Sequence, residues 1–207
     1  VIKAGNTDVT ANYQIDVANG ILEVTKKGIK ITALPQTKVY GEADPVFIYE
    51  KVEGIVGEDD LKITMLREDG ENVGTYTLTP KIVNENYQAE VIPAELTITA
   101  RPITFTAASA SRRDGSQALT ANSYTISEGS LATVASQDNE SSIAIVGSQD
   151  GYTIGTSANV ISNARMANAA GEDMTGNYTI SYINGTLTIY GGAGTGTNAV
   201  IATTPTV

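Results

Sequence analysis

Residues 12–25 read NYQIDVANGILEVT, residues 86–99 read NYQAEVIPAELTIT, and residues 177–190 read NYTISYINGTLTIY. The three align without a gap over fourteen positions, separated by 74 and then 91 residues. One segment recurring at such intervals marks a tandem array whose units end in the same structural device. In the first copy Tyr13, Ile15 and Val17 alternate with polar residues, then Asn19-Gly20 intervenes, then Leu22 and Val24 alternate again. Asn-Gly between alternating runs predicts a β-hairpin with a type I′ turn, whose central residues both need positive φ. This register sets Val17 opposite Leu22, Val91 opposite Leu96 and Tyr182 opposite Leu187, with apolar groups on one face of each ribbon. Pro93 cannot take positive φ, so the second copy is expected to turn by type I or a longer loop.

The repeat divides the 207 residues into residues 1–27, the C-terminal fragment of a preceding unit, a complete unit at 28–100, a longer unit at 101–190, and a Gly/Thr-rich linker at 191–207. The chain is accordingly expected to be a piece of a longer protein, with any signal or anchor outside it and the ribbon of 1–27 frayed or repacked against the middle unit. Thr, Val, Ile, Tyr and Gly are abundant and no run has helical spacing, so the fold class is all-β. Small immunoglobulin-like sandwiches forming an elongated rod are the leading form, since the joints Lys26-Lys27-Gly28 and Arg101-Pro102 are so short. A β-grasp-like unit with a short helix is the alternative.

Within the middle unit, strands are expected over 29–33, 46–52, 61–66 and 73–78, with turns at Val39-Tyr40-Gly41, Asp44-Pro45 and Gly57-Glu58-Asp59. Residues 61–66 are read alternatively as one turn of helix. The longer unit opens with a strand at 103–107 and adds strands near 123–126, 143–146, 152–154 and 159–162, with a loop at 165–171. Asp173–Tyr178 there matches Asp8–Tyr13 of the opening fragment.

Four blocks in order, ITA, KVYG, VGTYTLTP and the NY…LTIT segment, resemble the MBG domains, notably the YGX type, found in tandem in bacterial surface adhesins. The longer unit resembles a longer variant of the same family. It departs from the pattern where Arg113 stands near the place of Tyr40, and where VGTY is reduced to Ile154-Gly155-Thr156-Ser157. The resemblance implies a secreted or cell-surface setting and supplies no catalytic residues.

Composition narrows the chemistry further. The chain has no His and no Cys, which removes a Ser-His-Asp triad, a thiolate nucleophile and nearly all zinc sites. A net charge of −10 with scattered basic residues argues against nucleic acid and anionic membranes. No stretch is apolar enough to insert in a bilayer. The expectation is therefore a monomeric, non-catalytic protein with no cofactor, a stalk or spacer whose partners are its flanking domains. The alternative is a module that recognises a host glycan or glycoprotein through loops of the longer unit, around 137–140 and 149–152. Tyr40, Tyr49, Tyr124, Gln137, Asp138 and Tyr152 are the candidate ligand contacts, and the first three tyrosines are expected to be exposed. Tyr13, Tyr87 and Tyr178, each preceded by Asn12, Asn86 or Asn177, are read as structural anchors of the hairpin whose hydroxyls find partners at the end of each unit. Calcium is weighed on Asp59, Asp60, Glu68 and Asp69, or on Asp138 with Glu140, and is not expected, since no stretch matches a known calcium loop.

Overall fold

The computed structural model describes residues 1–127 and 138–192, and Gln137 and residues 193–207 lie outside the described residues. Among those described there is no α-helix, in keeping with an all-β chain. The opening segment holds β1 (Lys3–Ala4), β2 (Thr7–Asp8) and a 3-10 turn at Thr10–Asn12. The middle unit follows with β3 (Lys27–Thr32), β4 (Gln36–Val39), β5 (Thr64–Arg67), β6 (Gly74–Lys81), β7 (Tyr87–Ile92) and β8 (Ala94–Thr99). The last unit comprises β9 (Arg101–Ala107), β10 (Ala110–Arg113), β11 (Tyr124–Ile126), β12 (Asn139–Val146), β13 (Gly155–Ala167), a 3-10 turn at Thr175–Asn177, β14 (Tyr178–Ile183) and β15 (Gly185–Tyr190).

The repeated segment is not a hairpin. β7 pairs in parallel with β3, whereas β8 belongs to another sheet, of order β4-β8-β6-β5. Val91 lies beside Ile31, and Leu96 beside Gln36 and Tyr76, so the expected Val91–Leu96 pair does not form. The last unit repeats the arrangement. β14 pairs in parallel with β9 in the sheet β11-β9-β14, and β15 lies in β10-β15-β13-β12. Each segment is one extended strand that bends at Pro93 or Asn184 and crosses from one sheet to its neighbour. Neither Asn184 nor Gly185 has positive φ, so no type I′ turn exists there. Gly185 serves a close approach instead, since a Cβ on it would meet the Ala108 carbonyl oxygen at 2.1 Å.

The first strand of each unit bends at the matching place and stays in register throughout. Lys27 faces Tyr87 and Val39 faces Thr99, while Arg101 faces Tyr178 and Arg113 faces Tyr190. One offset thus holds on both sides of each bend. The terminal strands of a unit run as a parallel pair shared by two sheets, a corner of the kind sandwiches make when strands switch layers.

Other expectations need correction. Residues 46–52 form no strand beyond a single bridge from Tyr49 to Ala33. Residues 152–154 form a turn and bend, and Arg165–Ala167, read as loop, ends the long β13. β13 carries a bulge, with Asn163 at φ 57 and shifts in its pairing to β12. Tyr13, Ile15, Val17, Leu22 and Val24 of the opening fragment are 50–90% exposed and in no strand. Their alternation has no partner strand and no sheet to cross into, so the face that Tyr87 and Leu96 bury in the middle unit stays in solvent here.

Two apolar clusters result. One gathers Ile29, Ile31, Val52, Leu61 and Tyr87 at the start of the middle unit. The other crosses the unit boundary, uniting Tyr40, Leu78, Leu96 and Ile98 with Ile103, Phe105, Ala107, Ile161, Ala164, Met166 and Tyr178.

Candidate functional site

The boundary between the two units is where buried polar groups converge. β4 ends at Val39 and the chain turns through Tyr40-Gly41, with the Glu42 amide donating to the Val39 carbonyl at 3.0 Å. Gly41 takes φ 79, the value that the third position of a type II turn requires and that glycine adopts without strain. The turn delivers the Tyr40 ring across the boundary. Its hydroxyl donates to Asp138 Oδ2 at 2.9 Å, and the Tyr178 hydroxyl donates to the same oxygen at 2.8 Å. The two rings meet edge to face at 5.6 Å between centroids. Asp138, Tyr40 and Tyr178 are 3%, 3% and 7% exposed. A buried carboxylate needs charge-assisted hydrogen bonds in place of its water, and here two phenols from two units supply them to Oδ2, while Oδ1 meets no donor among the described residues.

Asn177 forms a second clasp beside the first. Its Oδ1 accepts the Val73 amide at 2.9 Å and its Nδ2 donates to Asn72 Oδ1 at 2.9 Å. Arg101, the first residue of β9, donates from Nε to the Tyr40 carbonyl at 2.7 Å and lies 3.7 Å from Glu42. Only Ala100 separates β8 from β9, so the covalent joint adds to these three contacts between the units.

Charge reinforces the donor end. Lys38 reaches Asp44 and Glu71, each at 2.6 Å, and Arg67 pairs with the same two acids at 3.1 Å while lying over the Tyr76 ring. Burial works to lower the Lys38 pKa, but hydrogen bonds to Asp44 and Glu71 outweigh it and hold the ammonium above the ordinary lysine range. This ring of alternating charge anchors the loop that carries Asn72 and Val73. A cleft of about 410 Å³ beside it is lined by Tyr40, Gly41, Glu71 and Asn72 from one unit and by Asn168–Ala170, Glu172 and Met174 from the other.

The five candidate ligand contacts among the described residues thus separate. Tyr40 and Asp138 are buried against each other, which corrects the expectation of an exposed Tyr40. A hydroxyl at a unit end lowers its own energy more by finding a carboxylate than by facing water beside an apolar cluster. Tyr124 is half-buried and donates to Glu140, whose carboxylate raises the phenol pKa. Tyr49 and Tyr152 are 39% and 71% exposed and take no part in that pair. Of the anchors, Tyr87 and Tyr178 are buried, and Tyr13 is 56% exposed. Asn177 is buried, while Asn12 and Asn86 are exposed. Sequence reasoning did not find Asn72, Val73 or Arg101. The available signal was the single Tyr-Gly ahead of a one-residue joint, which places a phenol within reach of the next unit.

Among the described residues, no group of three or more Asp or Glu is disposed to hold a metal ion. No helix among them is long and apolar enough to cross a membrane.

The geometry defines a class: all-β repeat units joined end to end by a buried polar clasp. Residues 29–97, most of the middle unit, match the family model of the MBG domain (YGX type). Tyr40-Gly41 is the one Tyr-Gly pair inside the matched residues. MBG domains are repeat domains of surface proteins. No curated protein matches the chain.

Proposed function

We propose that this chain is a non-catalytic structural segment of a cell-surface or secreted adhesin-like protein, in which the joint holds successive repeats at a fixed angle. The observation that carries the reading is Asp138, buried with one phenol from each unit on the same oxygen. A linker that only tethered two domains would have no reason to bury a carboxylate between them, since interdomain contacts are by default polar and mobile. On this reading the last unit is a longer variant of the same repeat, and the chain acts as a monomer without a cofactor. The glycan-recognition alternative loses support because Tyr40 and Asp138, two of its contacts, are occupied in the joint.

Stretching single molecules of the chain tests the reading. The two units are expected to resist as a coupled pair, and Asp138→Ala is expected to let them extend in two separate events. Independent extension of the unsubstituted units would sink the proposal, as would saturable binding on a glycan array lost on replacing Tyr152.

A further inference from the structure

The start of the middle unit carries the acceptor half of the same clasp, with the donor half missing. Strand register makes Tyr87 the counterpart of Tyr178, Asn86 of Asn177 and Lys27 of Arg101. Tyr87 donates to Asp59 Oδ2 at 2.7 Å, as Tyr178 does to Asp138 Oδ2. Asp59 is therefore the counterpart of Asp138, on a loop of different length. The difference is coverage. Asp138 and Asn177 are buried beneath Tyr40, Asn72 and Val73, whereas Asp59 and Asn86 are exposed. Lys27 is exposed where Arg101 grips the Tyr40 carbonyl. A concavity of about 440 Å³ stands there, bounded by Lys26, Lys27, Val56, Asp59, Asn86 and Tyr87.

We infer that this face is a docking site for the Tyr-Gly turn of a second copy of the middle unit placed ahead of Lys26. The incoming tyrosine would donate its hydroxyl to Asp59, beside Tyr87, and its asparagine loop would engage Asn86. The occupant is specified by complementarity within the chain. The middle unit presents Tyr40, Asn72 and Val73 at one end and Asp59, Tyr87 and Asn86 at the other, so a second copy supplies every missing group. The contact is head-to-tail, a geometry that propagates. The last unit differs at this turn: Asp114 donates its amide to the Tyr190 carbonyl as Tyr40 does to Thr99, so an acid stands where the tyrosine would be.

The inference rests on the joint reading above, and its test separates the two. Residues 1–25 are replaced by a second copy of residues 28–99, which keeps Lys26-Lys27 as the joint. The chain has no cysteine, so introduced pairs report alone. A control chain carries Asn72→Cys and Asn177→Cys across the existing joint. The test chain carries Asn72→Cys in the added copy and Asn86→Cys. A short bismaleimide is expected to link the test pair within about twofold of the control. Asp59→Leu, or Tyr40→Phe in the added copy should the former fail to fold, is expected to lower the test yield severalfold and leave the control unchanged. A test yield no higher than with a long Gly/Ser spacer between the copies, with the control intact, would overturn the inference. Failure of the control itself would overturn the joint reading and this inference with it.

Discussion

Asp138 accepts the hydroxyls of one tyrosine from each unit at the joint. Tyr40→Phe keeps the ring and removes one charge-assisted hydrogen bond, at an expected cost of about 1.5–3 kcal/mol. Asp138→Ala removes the acceptor shared by two buried hydroxyls, at ~1–3 kcal/mol each, so it is expected to be the more damaging change. Urea denaturation of both variants and of the pair measures this. A double variant no worse than Asp138→Ala alone would place Tyr40's contribution in that contact. Lys38 sets the alkaline limit at the same end. Its folded pKa lies above the unfolded value, so its contribution is complete below the ordinary lysine pKa and fades as pH rises through the folded one. Tyr87 and Tyr124 act in the same direction: hydrogen bonds to Asp59 and Glu140 lift their pKa values, and their contributions fade above the ordinary tyrosine value. Melting temperature is thus expected to fall through this alkaline range, and Lys38→Met to flatten the uppermost part of that fall; an unchanged profile in that variant would count against the charge ring. Chelator is expected to leave melting unchanged. Both acids that accept the NY tyrosines were visible in the sequence, but as oxygen-rich turns. Their partners lie 28 and 40 residues away in the chain, with no periodicity linking acid to tyrosine.

At the scale of elements, the sequence carried more than the hairpin reading took from it. Alternation was read correctly in each half of the repeated segment, and the parity change between halves was attributed to a turn. Tyr87 is buried and Ala89 and Val91 are half-buried on odd numbers, and Leu96 and Ile98 are buried on even ones. The first strand repeats the flip, from Ile29, Ile31 and Ala33 to Lys38 and Tyr40. A strand crossing between two facing sheets must reverse its inner face, so a one-residue parity shift marks a sheet switch as well as it marks a turn. What favours the switch is the existence of two terminal strands with the same flip, able to run as a pair. The Asn-Gly signal misled because Gly185 is demanded by packing. Gly185→Ala is expected to cost about 1–3 kcal/mol through its clash with the Ala108 carbonyl. A hairpin glycine at positive φ would be penalised by any Cβ for backbone reasons alone, so amide exchange around Ala108 distinguishes the accounts: disturbance centred there supports the close approach. Residues 46–52 were misread for another reason. Phe47 and Val52 pack inward from backbone whose pairing is limited to the one bridge to Ala33, so their apolar spacing resembles a strand.

At the scale of the whole chain, the two apolar clusters do not follow the unit boundaries. The sheet β4-β8-β6-β5 of the middle unit shares its cluster with the last unit, whereas β3 and β7 pack into the other one. Cooperative regions in a protein follow packed contacts, and amide exchange reads their separate stabilities. The amides of Leu78 and Leu96 are therefore expected to exchange together with those of Phe105 and Met166, although they belong to different repeats. The amide of Ile31 is expected to exchange sooner, because its cluster is smaller and ends at the uncovered Asp59 face. Asp138→Ala attacks the polar clasp and leaves the apolar residues in place, so it should uncouple the first pair of groups, bringing Leu78 and Leu96 closer to Ile31. If Leu78 and Leu96 exchange with Ile31 in the unsubstituted chain and ignore Asp138→Ala, each repeat is its own cooperative unit and the joint transmits nothing. If they follow Phe105, the joint is part of a core, and a pull on one repeat is carried into the next by packed side chains as well as by the single residue of backbone between them.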